Sequence, residues 1–213
     1  MPALVRTLGR VDYVPTWQAM IDFTAARAKS TETTPDELWI CEHPPVYTLG
    51  QAGKPEHRLI DNGIPMVKID RGGQITYHGP GQVVAYPLLD LNRRGLKVRE
   101  LVSRLEQAVI DLLVELGIAA RRLDGAPGVY VDRASNAAYP AKIAALGLRI
   151  RHGCCYHGLS FNVDMELAPF SAINPCGYAG MPVTQTRDLG IDLTPAQAGE
   201  SLARHMIRQL ELP

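Results

Sequence analysis

Apolar positions along the chain change period several times, and each change marks an element. From about Val98 to Leu116, the residues Val98, Leu101, Val102, Leu105, Val109, Leu112, Leu113 and Leu116 recur at helical spacing. Glu100, Ser103, Arg104, Gln107, Asp111 and Glu115 fill the other face, and Gly117 is a natural stop. A second helix is expected from Thr194. Pro195 takes its first position, Gln197 is placed for a capping box, and Leu202, Met206, Ile207 and Leu210 form its apolar face. A third runs from about Thr16 to Ala28, after Pro15. Elsewhere the apolar runs are short. Ala3 to Val11, Leu38 to Cys41, Val46 to Leu49, Met66 to Ile69, Gln82 to Leu88 and Val129 to Val131 read as strands. Ala141 to Arg151 and Cys154 to Val163 read as a strand pair turning near Gly153, and Arg71 to Gly81 reads as a loop. Strands dominate the middle and helices lie near both ends. The pattern therefore predicts an α+β fold, a mixed sheet with flanking helices, with residues 1–213 as one domain.

Composition narrows the classes. Lys+Arg and Asp+Glu are both 22, so the basic excess expected for nucleic-acid or membrane binding is missing. No stretch approaches the roughly 20 apolar residues that span a bilayer. The four cysteines, Cys41, Cys154, Cys155 and Cys176, form no CxxC pair and no disulfide spacing, which points to reduced thiols in a cytoplasmic protein. Only five of the basic residues are lysines, so a lysine in an unusual place stands out.

Two such features carry candidate chemistry. Cys176 lies in Asn174-Pro175-Cys176-Gly177-Tyr178-Ala179-Gly180. Proline before and glycines after can present a thiol while backbone N–H groups approach the same point, as acyl transfer requires. The alternative is a small buried cysteine in a turn. Lys142 sits in the apolar run Ala141 to Leu148. Partial burial would lower its pKa, and beside a cysteine it would favour the thiolate. The alternative is a strand lysine pointing to solvent while its neighbours point inward. The glycine-rich segment from Arg71 is no Walker A loop. If Cys154 to His157 is a strand, Cys155 and His157 share one face and Cys154 shares the other with His152, so no zinc is expected there. Cys155 as nucleophile is a further option, without a Pro/Gly loop to present it.

Together these segments resemble the octanoyltransferases of lipoate synthesis, also called lipoate–protein ligase B. The resemblance rests on Glu42 to Thr48 with Gly50-Gln51, on Arg71 to Gln82, on Pro127 to Val131 with Ala141 to Gly147, on Gly153 to Val163, and on Asn174 to Tyr178. It implies the fold shared by lipoate and biotin protein ligases. It also implies a reaction without a cofactor or metal: Cys176 takes an octanoyl or lipoyl group from acyl carrier protein and passes it to a lysine of a lipoyl domain. The acceptors implied are those of 2-oxoacid dehydrogenases and the glycine cleavage H protein. Lys142 would act with Cys176. The acyl site would be lined by Arg71, Gly72, Gly73, Gln74, Ile75, Thr76, Tyr77 and His78, by Ala145, Leu146 and Gly147, and by Gly158, Leu159 and Ser160. The stretch Asp132 to Pro140 is longer than the family pattern and is expected to loop out, sparing Lys142. The rival readings are an ATP-dependent lipoate or biotin ligase and, behind it, a non-catalytic module that docks carrier domains.

Overall fold

Among the described residues, ten strands and four α-helices form a large sheet, a small sheet and the helices that cover them. The computed structural model describes residues 3–30, 33–132, 140–174 and 182–211. Cys176 and most of the long stretch before Lys142 lie outside the described residues. The seven-stranded sheet contains β1 (Leu4–Arg10), β2 (Glu37–Glu42), β6 (Gln82–Asp90), β7 (Ala120–Leu123), β8 (Ala126–Val131), β9 (Ala141–Arg151) and β10 (Cys154–Asn162). Its order is β1-β2-β6-β10-β9-β8-β7, with β1 parallel to β2 and every other pair antiparallel. The three-stranded sheet has β3 (Val46–Leu49) between β4 (Met66–Lys68) and β5 (Ile75–His78). This is the α+β arrangement that the patterning predicts.

The helices sort by face. Helices α3 (Val98–Glu115) and α4 (Pro195–Glu211) pack together on one side of the large sheet. Between helices and sheet, Leu101, Leu105, Leu112, Leu202 and Met206 meet Leu159, Phe161 and Val163. The predicted cap of α4 is present: the Thr194 N–H donates to Gln197 Oε1 at 3.0 Å and the Gln197 N–H to Thr194 Oγ1 at 3.3 Å. Helix α1 (Tyr13–Lys29) covers part of the other side. It starts at Tyr13, not after Pro15, because Pro15 sits in the first turn, where its missing N–H costs nothing. Its buried stripe is Tyr13, Thr16, Met20, Thr24 and Arg27, a set too polar for a hydrophobic pattern to bring out.

Two further elements escape the sequence pattern. The short helix α2 (Leu91–Arg94) is capped by Asp90, whose side chain accepts from the Arg93 N–H at 3.0 Å. Strand β7 reads Ala-Arg-Arg-Leu, too polar to show as a strand. The Arg71 to Gly81 segment is also not all loop, because Ile75–His78 forms β5. The β9–β10 hairpin turns at His152 and Gly153, with φ of 51° and 76°, the left-handed pair that a tight two-residue turn requires.

Candidate active site

The face of the large sheet left open by α1 is roofed by the small sheet and the segment 71–74. A cavity of about 460 Å³ lies between them. Its walls include Arg71, Gly72, Gly73, Gln74, Ile75, Thr76 and His78, then Lys142, Ala145, Leu146 and Gly147, and Gly158, Leu159 and Ser160. The structure thus brings together all but one of the described residues expected at the site. The exception is Tyr77. Strand alternation in β5 turns it to the other side, among Tyr47, 5.6 Å away between ring centres, and Phe170, 5.5 Å away.

Lys142 reaches the cavity through an irregularity in the sheet. Ladder partners step from Val129↔Ala144 to Tyr130↔Lys142, so Ile143 is the extra residue of a bulge. Ala141, Ile143 and Ala144 all face the α3–α4 core, and Lys142 is left on the opposite face with Ala145 and Gly147. The lysine is half-buried. Its Nζ donates to the Pro127 carbonyl at 3.3 Å and stands 5.2 Å from the centre of the Tyr130 ring. A lysine within an apolar run is therefore explained by the bulge, with its apolar neighbours facing the other way.

The backbone of Lys142 is held by the chain that follows the Cys176 segment. Its N–H donates to the Pro182 carbonyl at 2.8 Å, and its carbonyl accepts from the Thr184 N–H at 3.0 Å. Thr184 is fixed in turn by a buried relay of side chains. Asn162 Nδ2 donates to the Thr184 carbonyl at 3.0 Å, Gln82 Nε2 donates to Asn162 Oδ1 at 2.9 Å, and His78 Nδ1 donates to Gln82 Oε1 at 2.7 Å. Sequence reasoning did not find Gln82 or Asn162. Their signal was a polar residue at the end of each of two apolar strand runs.

Beside the cavity the polar groups are neutral or fixed. Burial pushes the His78 pKa down to about 3, helped by His43. Burial also lowers His43, whose ring lies 2.7 Å from Tyr86 Oη. Burial alone would raise the Asp70 pKa. Hydrogen bonds from His157 and Tyr156, the charge interaction with His157 and a bond from Trp17 instead hold it well below the usual carboxylate range. His157 itself is pushed down by burial, while its hydrogen bond to Asp70 and the charge on Asp70 pull it back up.

His157 has a φ of 58°, and its ring stacks on the adjacent Tyr156. The expected pairing of Cys155 and His157 on one face fails for that reason. Cys155 points into the α3–α4 core, while His157 joins Tyr156 at Asp70.

The described cysteines are poor nucleophiles. Cys155 donates to the Pro87 carbonyl at 3.0 Å, and burial raises its pKa to about 12. Burial likewise raises Cys41 to about 12 and pushes Cys154 up. Among the described residues, no group of three or more His, Cys, Asp or Glu is placed to hold a metal ion. No helix there is long and apolar enough to cross a membrane.

Glu106 is a third residue that patterning missed. It falls four residues after Val102 and three before Val109, on the apolar face of α3, and a carboxylate there was the available signal. It accepts from the buried Gly128 N–H at 2.9 Å and from Arg122 Nε at 3.0 Å, tying β8 to α3 beside the lysine.

Residues 15–207 match the lipoyl protein ligase A/B catalytic domain family. The chain is 68% identical over 211 residues to an octanoyltransferase of Dechloromonas aromatica, covering 99% of this chain and 98% of that protein. It is 63% identical to one from an Azoarcus species, covering 99% and 88%. In fold it is similar to the bipartite lipoate protein ligase of Thermoplasma acidophilum, with a TM-score of 0.75 at 17% identity, covering 100% of this chain and 85% of the other. The biotin protein ligase of Aquifex aeolicus is more distant, with a TM-score of 0.57 at 14% identity and coverage of 98% and 70%.

Proposed function

The chain belongs to the lipoyl protein ligase A/B catalytic domain family, and within it we propose that it moves an octanoyl group from acyl carrier protein to a lysine of a lipoyl domain, by way of a thioester on Cys176. It is an acyltransferase. One observation carries the finer reading. Pro182 and Thr184, directly downstream of the Cys176 segment, are hydrogen-bonded to both sides of Lys142 in the cavity wall. That contact ties the chain shortly after Cys176 in sequence to Lys142, and supports assigning the two residues to one reaction.

The steps follow from the groups. The Cys176 thiolate attacks the donor's thioester carbonyl, and the tetrahedral intermediate expels the carrier's thiolate, which takes a proton from the Lys142 ammonium. Lys142 is then a neutral amine. The ε-amine of the acceptor lysine attacks the acyl-Cys176 thioester, the amide forms, and Cys176 leaves as thiolate. Lys142 takes the proton that the attacking nitrogen loses, which restores the starting state. Cys176 and Lys142 titrate as a coupled pair through this cycle. Every step is driven by the thioester, so no nucleotide is needed. The acceptors that fit this reading are the lipoyl domains of 2-oxoacid dehydrogenases and the glycine cleavage H protein.

The test is transfer from octanoyl carrier protein to a lipoyl domain without ATP. The reading expects amide product and loss of transfer in Cys176→Ala. A requirement for ATP, with Cys176→Ala still active, would select the ligase reading instead.

A further inference from the structure

The large sheet's cavity face carries little side chain at one end. Gly147 and Gly158 are register partners on β9 and β10. Arg71 lies on that bare floor: a methyl group placed on Gly147 would stand 3.0 Å from Arg71 Cδ. Its side chain is almost fully buried, at 8% exposure. The guanidinium donates to the Thr48 carbonyl at 2.8 Å, to Thr48 Oγ1 at 2.9 Å and to the Gly72 carbonyl at 2.9 Å. No carboxylate among the described residues pairs with it. A cation is thus held at the wall of a largely apolar cavity by carbonyl and hydroxyl dipoles alone.

We propose that Arg71 is the stop that limits acyl chain length, a specificity-determining residue at the far end of the cavity from Lys142. The inference rests on the acyl-transfer reading above. Four residues lie between Lys142 and Gly147, one of them the extra residue of the bulge, so the floor between them is about 13 Å long at strand spacing. An extended alkyl chain advances about 1.3 Å per carbon. With its thioester at the Lys142 end, a chain of about eight carbons fits on Ala145 and its neighbours, and a chain of about twelve runs into Arg71. A methylene pressed against a buried cation displaces the hydration that the cation has left and gains no apolar contact. Each added carbon before that point gains burial, and each one after it loses.

The experiment offers the whole enzyme an equimolar mixture of hexanoyl, octanoyl and dodecanoyl carrier protein and reads the distribution of enzyme adducts by intact mass. The ratios cancel any general loss of activity. In Arg71→Met the dodecanoyl-to-octanoyl ratio is expected to rise at least about tenfold over wild type, and Arg71→Lys, which keeps the charge, stays near wild type. Gly147→Ala, which adds a methyl to the floor against Arg71 and the Gly72 carbonyl, shifts the distribution the other way, with dodecanoyl-to-octanoyl falling several-fold below wild type, on the order of the burial of a methylene or two. Unchanged ratios in both Arg71→Met and Gly147→Ala, with wild type still acylated, would overturn the stop and leave acyl transfer standing. No adduct from any donor on wild type would overturn both.

Discussion

Thr184 and Lys142 are joined backbone to backbone, with the Thr184 N–H donating to the Lys142 carbonyl at 3.0 Å. The strand that carries the lysine and the chain from Pro182 onward are therefore tied into one backbone-bonded unit. Asn162 holds that unit through the Thr184 carbonyl and is buried, at 4% exposure. Asn162→Ala removes the side-chain donor to the buried Thr184 carbonyl and one acceptor of the Gln82 amide, which keeps the Tyr77 carbonyl, and is expected to cost about 1–3 kcal/mol of stability. Urea unfolding measures that loss. Acylation from octanoyl carrier protein should slow with it, even under conditions where the variant remains folded.

Lys142→Arg would separate the two roles proposed for the lysine. Arginine keeps the cation but does not give up its proton at working pH. Acyl-enzyme should still form, while transfer to the acceptor falls by about 10²–10⁴, the usual worth of a general base. Single-turnover intact mass would show the acylated enzyme accumulating. Equal loss of both half-reactions would argue against the base role.

Glu106→Ala is expected to destabilise the β7–β8 hairpin. The Gly128 N–H would be buried without an acceptor and Arg122 would lose its carboxylate, at a cost of about 2–3 kcal/mol. The shift in urea midpoint measures it. Because Pro127 precedes Gly128 and its carbonyl accepts from Lys142, the transfer rate should drop as well.

Stability should decline as pH falls below about 6.5. His43, His78 and His157 are all depressed by burial, His78 to about 3, so each binds a proton less readily when folded than when unfolded. The unfolded chain then binds more protons below its ordinary histidine pKa. The stabilisation is fully present above about 6.5 and is lost towards the folded values, at up to about 1.4 kcal/mol per pH unit for each histidine. Asp70, held low by its hydrogen bonds, adds a further loss below about pH 4. Urea unfolding at pH 7.5, 5.5 and 4.5 checks this, and a flat profile would contradict it.

Much of the fold was legible because its long elements repeat their period cleanly. Helix α3 and the β9–β10 pair could be placed from Leu101 to Leu113 and from the turn at Gly153 alone. Strand β5 was not, because four glycines around it masked a four-residue strand, and the side that Tyr77 faces was lost with it. The bulge at Ile143 was also beyond reach, since periodicity in one strand does not show what its partner does. The polar relay from His78 to Thr184 depends on strands distant in sequence, and only the folded chain assembles it. Part of the cavity wall, the segments from Arg71, Ala145 and Gly158, could be named through the family resemblance, whereas Tyr13, Tyr86, Val102 and Phe170 join it from elements distant in sequence and were not.

The most direct test of the central claim is intact mass after mixing the enzyme with octanoyl carrier protein, with and without hydroxylamine. The account predicts one octanoyl adduct on wild type, removed by hydroxylamine, passed on to a lipoyl domain when one is added, and absent from Cys176→Ser. A hydroxylamine-sensitive adduct that persists in Cys176→Ser, or amide product formed while no acyl-enzyme can be trapped, would contradict it.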